Sequence, residues 1–435
     1  MRLLRFGLCF AVLLLVAAAF FVVLSRQPVI AGVEAPPRSA FDQTLIEKGA
    51  KLAAIGNCYS CHTTRGKADY SGSRAIPTPF GTIFSANITP APGTGIGRWP
   101  EEAFRRAMRE GISRRGEHLF PAFPYDHYAR LTDDDLHALY AFLMTRTPVE
   151  SFTPRNALPF PLNKRWPLAF WNVAFLDKTP FQPNPQQSDA WNRGAYLVAG
   201  LGHCGDCHTP RNLFSAEESS RPLEGGAESE GWVGPALNTA SPAPVPWDEA
   251  HLFTYLRHGW ADQHGAAAGP MQPVVTALAR ADDADIHAMA TYLAAQQGPV
   301  STERQQRASA ALARAAEVKP PAPAAGEELG ATIFAGACAS CHTGSAAMVP
   351  PHGINLALSS ALYQPEPTNA IQFVLRGVQP SGERSGPLMP RFADTFTDAQ
   401  MAALLRYLRA HYATAPPWHS LESKIRDLRQ RKGPL

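Results

Sequence analysis

The sequence predicts an all-α protein built from three tandem copies of one helical module, and three observations carry that expectation. The pentapeptide CxxCH occurs three times, as Cys58-Tyr59-Ser60-Cys61-His62, Cys204-Gly205-Asp206-Cys207-His208 and Cys338-Ala339-Ser340-Cys341-His342, at intervals of 146 and 134 residues. A helical pattern opening on Gly-Ala precedes each copy, and a second helix with one shared set of apolar positions follows each. The length of 435 residues allows about three domains of ordinary size, so length and motif count agree.

The first element is apolar. Met1-Arg2-Leu3-Leu4-Arg5 leads into a run from Phe6 to Leu24 without a charged residue, long enough to cross a bilayer as a helix. Two arginines ahead of it favour an N-in, C-out orientation. The same pattern fits a cleaved secretory signal, although no clear A-x-A site follows immediately. Residues 1–30 are therefore read as a membrane anchor, with a signal peptide as the alternative, and both readings export the rest of the chain.

The modules follow at residues 40–150, 187–298 and 327–414. Their leading helices carry Gly49-Ala50-Lys51-Leu52, Gly194-Ala195-Tyr196-Leu197 and Gly330-Ala331-Thr332-Ile333. Their closing helices place apolar residues three and four apart on one face. These are Leu136, Ala138, Leu139, Phe142 and Leu143; Ile286, Ala288, Met289, Tyr292 and Leu293; and Met401, Ala403, Leu404, Tyr407 and Leu408. Thr132, Asp282 or Asp283, and Thr397 with Gln400 as a capping box mark their starts. A glycine opposite an aromatic lets two helices cross closely, which pairs Gly49, Gly194 and Gly330 with Phe142, Tyr292 and Tyr407.

Between modules the composition changes. Residues 151–186 are rich in proline and aromatics, including Asn163-Lys164-Arg165-Trp166-Pro167 and Phe170-Trp171-Asn172, and read as a packed crossover rather than a partner surface. Residues 299–326 are charged, then rich in alanine and proline, and read as a linker. Residues 415–435 hold Lys424, Arg426, Arg429, Arg431 and Lys432 and read as a solvated basic tail.

The chemistry lies in the pentapeptides. Two thiols and an adjacent imidazole are what covalent attachment of a c-type haem requires, the thiols adding to the vinyl groups and the histidine binding the iron. Six of the seven cysteines are used this way, Cys58, Cys61, Cys204, Cys207, Cys338 and Cys341, while Cys9 lies in the apolar run. Structural zinc pairs two CxxC units at close spacing and a thioredoxin-like site needs one copy beside a βαβ unit, so neither fits. Three covalently bound haem c groups are expected, with His62, His208 and His342 as one iron ligand each. The net charge of +3 gives no argument for nucleic acid as a partner.

The sixth ligand separates the modules. Met389 in Gly386-Pro387-Leu388-Met389-Pro390 and Met271 in Gly269-Pro270-Met271-Gln272-Pro273 are thioethers beside proline, as a stiff ligand loop requires. In the first module Phe123 stands at the matching place, in Phe120-Pro121-Ala122-Phe123-Pro124-Tyr125, and phenylalanine cannot bind iron. His127 is the favoured substitute, with His118, Met108, Met144 or an open site as alternatives. A His/His iron would have a lower potential than the two His/Met irons.

The order helix, CxxCH, loop, ligand and closing helix resembles the class I cytochrome c fold. The whole chain resembles the membrane-bound triheme cytochrome c subunits that accompany bacterial periplasmic dehydrogenases. That resemblance implies a non-catalytic electron-transfer subunit on the periplasmic side of the bacterial inner membrane. It would take electrons from a catalytic dehydrogenase subunit oxidising an alcohol, aldehyde or N-heterocycle and pass them towards quinone or a terminal oxidase. The stretch Phe120 to Tyr128, with Leu143-Met144-Thr145-Arg146 and Leu158-Pro159-Phe160-Pro161-Leu162-Asn163, is most similar to the branch whose partner carries molybdopterin and iron–sulfur clusters. The quinoprotein alcohol dehydrogenase branch more often has methionine where Phe123 stands. Two rival functions share the modules: a haem enzyme reducing peroxide at an open first haem, and a cytochrome subunit of a terminal oxidase.

Overall fold

The computed structural model describes residues 25–317, 320–343, 355–380, 386–413 and 415–431, with eight positions between 12 and 22. Helices dominate, and the strands among the described residues form three two-stranded antiparallel hairpins. The chain divides into two compact units, Met1–Gln182 and Pro183–Leu435.

The first unit holds one copy of the predicted helix set. Gln43–Ile55 leads into the motif helix Cys58–His62, and the hairpin Ala75–Thr78 with Gly81–Phe84 follows. Then come Glu101–Glu110, the single turn Tyr125–Tyr128 and the closing helix Asp133–Met144. The second unit holds two more copies. One runs Asp189–Ala199, Gly205–His208, Glu249–His258, Met271–Leu278 and Asp283–Gln296, and the other Glu328–Ala337, Ala339–His342, Thr368–Arg376 and Asp398–Leu408.

Leading and closing helices cross at the expected glycines in all three copies. A Cβ on Gly49 would lie 2.0 Å from the Ala138 carbonyl oxygen and 2.7 Å from Phe142 Cβ. On Gly194 it would lie 1.9 Å from the Ala288 oxygen and 2.8 Å from Tyr292 Cβ, and on Gly330 2.4 Å from the Ala403 oxygen and 2.8 Å from Tyr407 Cβ. These glycines sit within the helices rather than opening them, because the helices start earlier, at Gln43, Asp189 and Glu328. Their places are fixed by the close approach, which leaves no room for a side chain. The closing helices bury Leu136, Leu139, Ile286, Met289, Met401 and Leu404, each worth about 1.5–3 kcal/mol when fully buried. Thr132 accepts from Asp135 N, and Thr397 and Gln400 form the predicted capping box; Asp282 is the N-cap of its helix, but its side chain does not cap the helix N–H groups.

Two stretches outside the modules, the linker and the basic tail, differ from expectation. Within the linker, Thr302–Ala315 is a helix capped by Ser301 that buries Ala308 and Ala311 against Val245 and Leu358. In the basic tail, Leu421–Gln430 is a helix whose Leu421, Ile425 and Leu428 join the core of the third copy. Arg429 there reaches Asp398 at 3.0 Å, so this segment is packed rather than a solvated end; Lys432 lies outside the described residues. The proline-rich connector forms the helix Pro167–Phe175, where Trp171 packs edge-on to Tyr125 at 5.8 Å while Trp166, Phe170 and Val173 stay exposed. Much of the apolar run Phe6–Leu24 lies outside the described residues, and no helix among those described is long and apolar enough to cross a membrane.

Candidate haem-binding sites

Each motif begins in a short turn of helix directly after the leading helix, which places cysteines and histidine on one local scaffold. In the first copy His62 Nδ1 donates to the Ala86 carbonyl at 2.7 Å, and in the second His208 Nδ1 donates to the Pro235 carbonyl at 2.7 Å. A carbonyl only accepts, so this bond fixes the tautomer and leaves Nε2 with its lone pair for a metal. Burial holds both imidazoles below their ordinary pKa, which keeps that lone pair unprotonated. The loop is fastened back to the motif as well, with Gly72 N–H donating to His62 O at 2.7 Å and Gly225 N–H to His208 O at 2.6 Å. Both glycines have φ of 75°, and a Cβ on Gly72 would lie 2.5 Å from the Ala86 oxygen. In the third copy His342 closes the helix Ala339–His342, and residues 344–354, which follow it, lie outside the described set.

The cysteines behave as the haem reading requires. Burial, then the neighbouring thiol of the pair, pushes Cys58 and Cys204 up to about 12 and Cys338 up to about 11. None of the six described cysteines is in a disulfide. Thiol exchange calls for a stabilised thiolate, and burial here opposes one. Thioether formation consumes the thiols and leaves no charge to bury. The second copy also keeps a buried imidazole, His264, stacked on Trp247 at 3.5 Å with no hydrogen-bond partner for either ring nitrogen among the described residues. Such a group calls for a polar partner from outside the chain, which haem propionates have the chemistry to supply. The residues fit the group.

The distal side is organised by a repeated glycine that the sequence reading missed. Gly111, Gly259 and Gly377 end the helices Glu101–Glu110, Glu249–His258 and Thr368–Arg376 at φ of 63°, 85° and 71°, and the residues twelve positions on are Phe123, Met271 and Met389. In the first two copies the chain then returns alike, Leu119 N–H donating to Gly111 O and Ala267 N–H to Gly259 O, both at 2.7 Å. Phe123 and Met271 are thereby in register. In the third copy Met389 pairs directly with Val378, through bonds of 2.9 and 3.0 Å, and its side chain is half-buried against Trp232, Ala268 and Val378. The sequence signal for this glycine is a basic residue one or two positions before it, in Arg109-Glu110-Gly111, Arg257-His258-Gly259 and Arg376-Gly377.

Among the alternatives for the first copy, His118 is engaged elsewhere. Its Nε2 donates to Ser25 O at 3.0 Å and its Nδ1 lies 3.4 Å from Asn172 Nδ2. Met108 and Met144 are buried in the third and closing helices. His127 is buried on the turn Tyr125–Tyr128, directly beyond Phe123, whose ring packs against Tyr128 at 5.5 Å.

Comparison with known proteins agrees with this chemistry. The Cytochrome c family matches residues 46–147 and 327–411. The chain is 43% identical over 410 residues to a nicotinate dehydrogenase subunit of Pseudomonas putida, covering 93% of this chain and 33% of that protein. It thus spans about one third of that relative's length. It is 35% identical to the fructose dehydrogenase cytochrome subunit of Gluconobacter japonicus, over 88% of this chain and 82% of that one. It is 33% identical to the cytochrome c subunit of the quinone alcohol dehydrogenase of Gluconobacter oxydans, over 91% and 84%.

Proposed function

The chain belongs to the cytochrome c subunits of periplasmic dehydrogenases, and from that premise we propose that it is a three-haem relay serving a molybdopterin-containing partner. Its function is electron transfer from a dehydrogenase. The observation that carries the haem reading furthest is the pair of proximal histidines, each with Nδ1 on a backbone carbonyl and Nε2 left to a metal. A bound haem supplies reversible one-electron storage at iron. The chain's own part is to hold the cysteines, orient the imidazoles, choose the sixth ligand and exclude water.

In this proposal Cys58, Cys61 and His62 hold the first haem, Cys204, Cys207 and His208 the second, and Cys338, Cys341 and His342 the third. Met271 and Met389 are the sixth ligands of the second and third, and His127 that of the first. No side chain performs bond chemistry on a substrate. The relative named as a nicotinate dehydrogenase subunit supports a partner that oxidises an N-heterocycle, and the resemblance carried by Phe120 to Tyr128 implies molybdopterin and iron–sulfur clusters in that partner. The acceptor is quinone or a terminal oxidase, and the site of action is the periplasmic face of the bacterial inner membrane, reached through residues 1–30 as anchor.

Mass spectrometry with metal analysis of the complex that copurifies with this chain from detergent-solubilised membranes tests the proposal. Three haem masses on the chain with a molybdopterin subunit beside it are expected. A quinoprotein or flavoprotein partner would overturn the branch, and two haem masses would overturn the count.

A further inference from the structure

The second and third copies, which share one compact unit, are joined by a short hairpin, Glu228–Ser229 paired with Trp232–Val233. The helix Thr368–Arg376 of the third copy grips this hairpin by its backbone. Asn369 Nδ2 donates to Val233 O at 2.7 Å while Val233 N–H donates to Asn369 Oδ1 at 2.9 Å. One turn on, the fully buried Gln372 donates from Nε2 to Gly231 O at 2.9 Å, and Phe373 meets the Trp232 ring edge-on at 5.1 Å. Two residues past Val233 comes Pro235, whose carbonyl orients His208. Gly234, between them, is pressed so closely onto the motif that a Cβ would lie 1.9 Å from the Cys207 oxygen.

The first copy has the same arrangement from a different source. Phe84 N–H donates to Asn156 Oδ1 at 2.9 Å, and two residues past Phe84 is Ala86, whose carbonyl orients His62. In both copies an asparagine braces residue n of the strand and the proximal carbonyl belongs to residue n+2. The brace of the first copy comes from the connector, and that of the second from the third copy.

We propose that Asn369 is a positioning residue for His208, so that the third module sets the proximal hydrogen bond of the second module's haem. The proposal rests on the haem reading of the Cys204–His208 motif. An amide that both donates to and accepts from one residue fixes that residue in two directions, and with Gly234 jammed against Cys207 little slack remains before Pro235. Releasing the brace lengthens the Nδ1–H···O bond. A weaker bond lowers the basicity of the imidazole towards iron, stabilises the ferric state less and raises the potential.

The test uses the full-length holoprotein. Haem masses on the intact chain are measured first, so that failure of the haem reading is seen separately. Redox titration then resolves the components, with the second haem identified as the one that Met271→Ala displaces. Asn369→Leu should raise the reduced-to-oxidised ratio of that component about threefold at fixed potential, roughly 30 mV for one electron. In the Met271→Ala background it should also lower the iron–histidine stretching frequency by resonance Raman. Asn156→Leu should do the same to the first haem and leave the second unmoved. Where Asn369→Leu fails to load haem, Gln372→Leu, which frees the same hairpin at Gly231, takes its place. An unchanged second-haem component, or a shift confined to the third haem, overturns the proposal.

Discussion

Gly330 and Gly336 lie on one helix, Glu328–Ala337, and the same change to alanine should act in opposite directions at the two. At Gly330 the new methyl would stand 2.4 Å from the Ala403 oxygen, and real Cβ contacts do not fall below 3.0 Å, so the helices must part by about 0.6 Å. The obstacle is backbone on the facing helix, which cannot swing aside. Overpacking of this kind costs about 1–3 kcal/mol, against a helix-propensity gain of about 1 kcal/mol, for a net loss of about 0–2 kcal/mol. Gly336 has nothing within 4 Å of its would-be Cβ, so only the propensity gain remains, about 0.5–1 kcal/mol. Guanidinium unfolding followed by circular dichroism should separate the two midpoints by at least about 0.1 M, with Gly336→Ala the more stable. Equal midpoints, or a stabilised Gly330→Ala, would refute the claim that the glycine is held by the crossing.

Three further outcomes are expected. Met271→Ala or Met389→Ala should lower the potential of its own haem in a potentiometric titration while the covalent haem count by mass stays the same. His127→Ala should convert the first haem towards high spin in the ferric absorption spectrum, and a fully low-spin spectrum would remove His127 as its ligand. Glu327 accepts from His411 Nε2 at 2.6 Å and from Ala324 N, and these bonds hold its carboxyl below the ordinary value of 4.5. A depressed carboxylate contributes stability above its unfolded pKa and loses it as pH falls through the folded one. Unfolding midpoints of the parent chain should therefore drop between pH 6 and pH 3 more than those of Glu327→Gln.

The helix crossings are legible in the sequence because both partners follow a local period, glycine on one helix and an aromatic on the other. The same logic applies to two segments whose composition reads as irregular. Ala308, Ala311 and Ala315 recur at helical spacing, as do Leu421, Ile425 and Leu428, but the prolines after the first and the basic residues within the second outweigh those stripes. The connector's Trp171 and Phe170 differ in burial although both are apolar, since their fates depend on which side of a nine-residue helix meets Tyr125. No composition rule separates them.

The proximal carbonyls are illegible for a deeper reason. Ala86 and Pro235 act through the backbone, which every residue shares, and they stand 24 and 27 residues past their histidines on loops of unequal length. Side-chain type announces a candidate iron ligand such as Met271, but nothing in an alanine or proline announces an oriented carbonyl. The asparagines that brace them are equally silent, being 72 and 136 residues from the strand they hold. A relay of copies with one common helix frame can obtain unequal potentials only from what differs between copies. Two such differences stand out in this chain: the residue twelve positions past the helix-ending glycine, which is phenylalanine once and methionine twice, and the origin of the asparagine behind each proximal histidine. The first is a choice of candidate ligand and is written in the sequence. The second ties the proximal ligand of one module to the folding of another, so exchanging whole modules between related chains should carry over the ligand choice and lose the brace.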